Sequence, residues 1–324
     1  MVARADPPAS LRLDGPLPIE RADIAPLNAL FSETFTERYR RDGLVGVRVP
    51  PLNPAIWEYA VADAGDGAML WRDARGAIAA FNIAHCSGVE GWMGPLAVRD
   101  DCQGAGHGKR IVNAGVELLR REGCRVIGLE TMPRTMDNIG FYSRLGFVPG
   151  RLTVTLTVEA MTGPRAPRLL SSLRSAARDS AVRECAALLD ESLPGFDYTR
   201  EIELTQELSL GDTLLLHDGD TLSGFALCHS APLVEGRSRE ELRVLKLVLR
   251  DESAFDSMLV QLADLARRSA TARVAIRLQG DYSSLYRRLV SHGARVRWTD
   301  LRMVLAGYEE RTPKFGVTLS NWEI

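Results

Sequence analysis

The chain has 324 residues, of which 45% are apolar and 25% charged, the proportions of a folded globular protein rather than a disordered, collagenous or coiled-coil one. At roughly 150 residues per domain, this length predicts about two domains. Forty basic and 42 acidic side chains leave a net charge of −2, so no strong field attracts nucleic acid or an anionic membrane, and neither is expected as a partner.

Residues 1–15 carry Asp6, Pro7 and Pro8 and no apolar core of signal-peptide length, and are expected to form a loose lead-in. No apolar stretch reaches the roughly 18 residues needed to cross a bilayer. An amphipathic helix is predicted over about 22–41, with Ile24, Leu27, Leu30, Phe31 and Phe35 on one face. Strands follow near 68–72, 77–85 and 91–98, the first two joined by the turn Asp73–Gly76. Then come a helix over 107–122, a strand over 125–130, a helix over 137–145 and a strand over 152–158. Residues 161–167, with Gly163, Pro164 and Pro167, read as a linker. Beyond it the predicted order is helix 180–191, strands 212–217, 221–229 and 241–249, helix 253–268, strand 272–278, helix 282–291 and strand 295–305. The five cysteines (Cys86, Cys102, Cys124, Cys185 and Cys228) are odd in number, scattered and without a C-x-x-C pair. Neither a disulfide framework nor a zinc site is expected, and a cytoplasmic location is.

The two runs of elements resemble each other. Phe81 and His85 align with Phe225 and His229, and Tyr142 and Leu145 with Tyr286 and Leu289, all 144 residues apart. Leu96–Asp101 (LAVRDD) matches Leu247–Glu252 (LVLRDE), and Ala29–Glu33 (ALFSE) matches Ala187–Glu191 (ALLDE), in the same order. A duplicated domain follows, rather than a short-period repeat.

The sharpest local feature is Val98-Arg-Asp-Asp-Cys-Gln103-Gly-Ala-Gly-His-Gly108-Lys-Arg, between a strand and a helix. Glycines at 104, 106 and 108 let the backbone curve and turn its N–H groups toward an anion. The helix start adds unpaired donors and a positive dipole end, and Lys109 and Arg110 add charge. This suits a pyrophosphate. A magnesium-nucleotide loop is disfavoured, because Gln103 fills the first glycine slot and Arg110 replaces Ser/Thr. The dinucleotide fingerprint fails at Lys109.

These residues resemble the GNAT superfamily of acyl-CoA-dependent N-acyltransferases, whose [R/Q]-x-x-G-x-[G/A] signature is met by Gln103, Gly106 and Gly108. A second signature, x-F-Y-x-x-x-G-F, is met by Phe141-Tyr142-Ser143-Arg144-Leu145-Gly146-Phe147. Pro18–Phe35 is similar to the family's opening strand and helix. The resemblance implies an α/β (α+β) fold of two tandem GNAT-like domains, over residues 16–162 and 163–324. Each would be a mixed, mostly antiparallel sheet flanked by helices, with a splayed central strand pair. It implies acetyl-CoA as co-substrate and no metal. Pantetheine would lie along the main chain of Leu96, Ala97 and Val98, and the pyrophosphate on the amides of Gln103, Gly104, Ala105, Gly106, His107, Gly108 and Lys109. Asn138 is a further candidate contact, since Thr135 stands where the family often has Asn. Tyr142 is implied as the acid that protonates the departing thiolate. For a base the candidates are Glu130, Glu90 and His85, with Glu130 favoured by its place at a strand end. His85, matched by His229, reads as a hydrogen-bonded core histidine.

The second copy lacks the glycine run, and Asp251, Glu252 and Asp256 put negative charge where phosphates would sit. This degenerate copy is expected not to bind CoA, and to form a wall of the acceptor site or an oligomer surface; a homodimer remains open. The function expected is transfer of an acetyl or short acyl group to a primary amine of a small molecule or peptide by direct attack. The alternatives are a non-catalytic acyl-CoA-binding or regulatory module and a nucleotide-binding module. The acceptor itself is expected to depend on loops 40–65 and 86–92. Trp57, Trp71 and Trp92 read as core more readily than as pocket.

Overall fold

Apolar residues at helical spacing, Ile24, Leu27, Leu30 and Phe31, form the buried face of helix α1 (Ile24–Arg41) in the computed structural model, which describes residues 12–323. The rest of the first half is built from β1 (Asp14–Pro18), α2 (Pro54–Ala64), β2 (Ala68–Arg72), β3 (Ile78–Ser87), β4 (Glu90–Val98), α3 (His107–Arg121), β5 (Val126–Thr131), α4 (Met136–Ser143) and β6 (Phe147–Glu159). Apart from β1, the second half repeats this order as α5 (Ser175–Ser192), α6 (Thr199–Glu207), β7 (Gly211–Asp218), β8 (Thr221–His229), β9 (Glu241–Leu249), α7 (Phe255–Arg268), β10 (Arg273–Gln279), α8 (Ser283–Ser291) and β11 (Arg295–Leu305). A short strand, β12 (Val317–Ser320), follows. The lead-in expected over residues 1–15 falls mostly outside the described residues, and strand structure already begins at Asp14.

The strands of the described residues join in one 12-stranded mixed sheet, ordered β1-β2-β3-β4-β5-β11-β6-β10-β9-β8-β7, with β12 on β9. Among the described residues, only the β4–β5 and β9–β10 pairs are parallel. The centre of the sheet shows that the halves trade their last long strands. Strand β11 lies between β5 and β6, and β6 lies between β11 and β10. The sequence boundary at 162/163 is therefore not a spatial one. One apolar core cluster runs across both halves, from Leu27, Trp57 and Phe81 to Leu189, Tyr198 and Phe225. Trp57, Trp71 and Trp92 are all buried, as read from the sequence.

Helices α2 and α6 are additions to the predicted elements. The first has a local signal: Asn53 Oδ1 accepts the Ala55 amide at 3.1 Å, and Pro54 opens the helix, where its missing N–H costs nothing. Scattered in sequence, Cys86 and Cys124 are neighbours in space, their thiols 3.3 Å apart. No helix among the described residues is long and apolar enough to cross a membrane.

Candidate active site

Strand β4 pairs with β5 only from Glu90 to Met93. At Gly94–Pro95 its register against β3 shifts, and beyond that point Leu96, Ala97 and Val98 pair with β3 alone. Their other edge faces a gap between β4 and β5, open to a ligand that supplies amide partners. The chain then turns through Gly104 (φ +81°) and Gly106 (φ +84°), a left-handed conformation that favours glycine. Gly106 begins α3 with no side-chain cap, so the helix's first N–H groups are left for an anion. Gln103 braces the loop, donating from Nε2 to the Val98 carbonyl and to Asp100 Oδ1, both at 2.9 Å. Arg41 reaches over from α1 and bonds Gln103 Oε1 (3.3 Å) and Asp100 Oδ2 (3.0 Å).

A cavity of about 410 Å³ follows this gap and loop. Leu96, Ala97, Val98, Gln103, Gly104, Gly106, Gly108, Lys109, Asn138 and Tyr142 line it, joined by Thr34, Phe35, Arg38 and Arg41 of α1. Ala105 and His107 do not line it; His107 is turned inward, its Nε2 buried without a partner. The α1 residues had no motif in the sequence, because what brings them here is helix packing. No neighbour lies within 4 Å of a Cβ built at Gly106, so alanine there acts through backbone conformation alone. Gly106→Ala is expected to weaken acetyl-CoA binding about tenfold, from a left-handed penalty of about 1–2 kcal/mol. Isothermal titration calorimetry checks this.

A second cavity, of about 320 Å³, shares Phe35, Arg38, Leu96, Asn138 and Tyr142 with the first. The two spaces meet where β4 leaves β5. Residues 32–147, which supply every one of these shared residues, match the acetyltransferase (GNAT) family model. This part of the chain is a GNAT domain. No curated protein sequence matches the chain. Solved structures share its whole fold. A proposed acetyltransferase from Pyrococcus horikoshii superposes with a TM-score of 0.64 at 15% identity, covering 94% of each chain. A tandem GNAT protein from the clavulanic acid biosynthesis pathway gives 0.58 at 12% identity, covering 93% of this chain and 100% of that one. Saccharomyces cerevisiae N-myristoyltransferase with bound myristoyl-CoA gives 0.62 at 11% identity, covering 94% and 86%. The fold is thus that of a tandem GNAT protein.

The second GNAT-like half keeps the splay and fills it. Strand β9 pairs with β10 only from Glu241 to Val244, and its register against β8 shifts just beyond. In the resulting gap β12 runs antiparallel to Lys246–Leu249. This is the position that the open gap occupies beside Leu96–Val98 in the first half. The acidic residues after β9 are engaged locally. Asp251 Oδ1 accepts the Ser253 amide at 2.7 Å, Glu252 accepts the Ser284 hydroxyl, and Asp256 pairs with Arg288 at 2.8 Å. Tyr286, the counterpart of Tyr142, is 37% exposed and lines neither cavity.

The second cavity is built by both halves. The first gives Phe31, Tyr39, Val49, Pro50, Leu52 and residues 129–132. The second gives Leu233, Val234, Arg277, Trp298, Asp300, Trp322 and Glu323. Loop 49–52 is pinned by the second half, since Leu52 bridges Val234 and Asn53 Nδ2 donates to the Pro232 carbonyl at 3.1 Å. The expectation that residues 86–92 shape the acceptor space is corrected. Ser87 donates to Glu201, and Glu90 is buried, accepting from Tyr198 (3.2 Å), Ser320 (2.8 Å) and Trp322 (2.9 Å). That segment is a seam between the halves. Glu90 is correspondingly no base. His85 is the core histidine read from sequence, its Nδ1 2.5 Å from Asp63 and its ring stacked on Trp92.

Glu130 and Tyr142 differ in how free they are. Glu130 Oε1 takes both the Thr153 hydroxyl (2.6 Å) and Arg302 Nε (2.9 Å), and Oε2 takes Arg277. Burial alone would raise this carboxyl, but the charges of Arg277 and Arg302 outweigh it and hold it below the usual value. It is a weak proton acceptor that fixes two arginines. Tyr142 is buried between Phe141 and Phe147, and burial raises its hydroxyl above the ordinary tyrosine value.

Proposed function

We propose that the chain transfers an acetyl or other short acyl group from acyl-CoA to a primary amine, by direct attack in a ternary complex. The observation that carries this reading is the meeting of the two cavities at Leu96 and Tyr142. The first cavity has the strand edge and glycine turn that suit pantetheine and pyrophosphate, and the second takes the acceptor. Attack forms the C–N bond, and main-chain N–H near Val98 stabilises the oxyanion. The C–S bond then breaks, and Tyr142 gives its proton to the leaving thiolate. The second half binds no CoA, since β12 already occupies its strand gap and carboxylates replace the glycine turn. Five free cysteines suit a reducing compartment, and we place the enzyme in the cytoplasm.

The test has two parts. Calorimetry with acetyl-CoA is expected to give one site per chain. Thiol release is then followed across a panel of primary amines. Two sites per chain would sink the claim for the second half. One site with no thiol release for any amine would make the chain a non-catalytic acyl-CoA-binding module.

A further inference from the structure

The acceptor cavity holds an acidic cluster that the GNAT half alone does not possess. Asp300, on β11, faces into it beside Trp298 of the same strand. Its Oδ1 accepts the Trp298 indole N–H at 3.1 Å and its Oδ2 accepts Arg277 Nη2 at 3.0 Å. Each oxygen thus keeps a lone pair for a further donor, unlike Glu130 Oε1, which already has two. Arg277, from β10, also pairs with Glu323 at 2.5 Å and with Glu130. Around Arg277 stand three carboxylates, and the second guanidinium on Glu130, that of Arg302, is itself matched by Glu310, so the polar end of the cavity is net anionic. Arg302 shares Glu130 with Arg277 and also holds Glu310, and Arg38 at the rim is paired with Asp42 and Asp137. The remaining wall is apolar and aromatic, from Phe31, Phe35, Tyr39, Leu52, Leu233 and Trp298.

We infer that Asp300 takes the proton from the acceptor's ammonium group, and that the acceptor is a primary amine on an apolar body with no carboxylate beside the amine. The inference rests on the acyltransfer reading above and makes the second half part of its active site. The carboxylate accepts one proton from R–NH3+, leaving R–NH2 to attack the thioester carbon. As the adduct collapses, Tyr142 protonates the sulfur, and the second nitrogen proton returns to the Tyr142 phenolate. Asp300 then releases its proton to solvent. Its surroundings suit the task. Burial, then the negative charge of Glu323, push its carboxyl up to about 7, with Arg277 pulling the other way. The groups facing it from the other elements are Arg277, Glu323, Glu130 and the Tyr39 hydroxyl, itself raised to about 12 by burial and by Glu323 and Asp300.

The experiment follows CoA release from acetyl-CoA with 2-phenylethylamine, n-butylamine and phenylalanine. The two amines are expected to react, and phenylalanine to be disfavoured about tenfold or more in kcat/KM by its carboxylate. In wild type, kcat should fall as pH drops through about 7. Asp300→Asn should lower kcat about 100-fold and abolish this limb, with acetyl-CoA affinity unchanged. Asp300→Glu should restore the limb. Glu323→Gln, which removes a charge that raises Asp300, should move the limb to lower pH. If Asp300→Asn loses acetyl-CoA binding, it has lost structure, and the Glu323→Gln shift decides alone. Asp300→Asn within twofold of wild type with the limb intact overturns the base assignment, as does an unmoved limb in Glu323→Gln. Preference for phenylalanine overturns the acceptor class. Acetyl-CoA binding with no acylation of any amine in the wider panel overturns the acyltransfer reading itself, and this inference with it.

Discussion

Replacing Trp322 with alanine is expected to lower the stability of the whole chain by about 3–5 kcal/mol, the range for truncating a large buried aromatic. The indole is 2% exposed. Its N–H donates to Glu90 Oε1 at 2.9 Å, and Arg302 stands 4.0 Å from the ring centroid. A Cβ at Gly128 would overlap the ring, so β5 is shaped to receive it. The loss therefore adds a cavity to a carboxylate and a guanidinium that each lose a partner. Urea unfolding reads the effect as a lower midpoint at unchanged slope. Val45→Ala, at a side chain 81% exposed, should stay within about 0.5 kcal/mol and serves as the control. A cost below about 1 kcal/mol for Trp322→Ala would mean that the segment after β12 does not pack as described.

That segment also marks where reading the sequence stops. The glycine turn was legible because its chemistry is local: Gln103, Gly104, Gly106 and Gly108 adopt their shape from their own φ preferences and the helix that follows. The strand splay was legible only by resemblance, since nothing in Leu96–Val98 announces that β5 will part from it. Trp298, Asp300 and Trp322 carried no signal. Trp298 and Asp300 reach the second cavity because β11 crosses between β5 and β6, a pairing between residues more than a hundred positions apart, and Trp322 because it follows β12. Local period and turn chemistry predict that a strand exists over 295–305, but not which neighbour it chooses. The same holds for β12. Its alternation of apolar and polar residues is compatible with an edge strand, yet it sits inside the sheet, in the gap of β9. Glu130 shows the converse error. A carboxylate at a strand end is a sensible base until two arginines, both from the second half, are found clamped on it. The duplicated half lost its glycine turn and kept its strands. Those strands, exchanged and refilled, give the second cavity the part of its wall that the first half does not supply.

Tyr142→Phe is expected to reduce kcat by about 100- to 1000-fold while leaving the binding of acetyl-CoA nearly unchanged. The substitution removes one oxygen and keeps the ring, which packs against Phe141 and Phe147 at centroid distances of 5.2 Å and 6.0 Å. The fold should therefore hold, and thermal melting checks that it does. The pH dependence gives a second, independent reading. Burial raises the hydroxyl above the ordinary tyrosine value of about 10, so it stays protonated across the neutral and mildly alkaline range. An acid of this kind produces no falling limb below about pH 10. The wild-type kcat profile should thus rise through about 7 as Asp300 loses its proton and then remain level. The two variants should differ in kind: Asp300→Asn removes the rising limb, whereas Tyr142→Phe lowers the plateau and leaves the limb in place. A Tyr142→Phe enzyme within threefold of wild type would show that the ring only packs beneath the CoA arm, and that the thiolate finds its proton elsewhere.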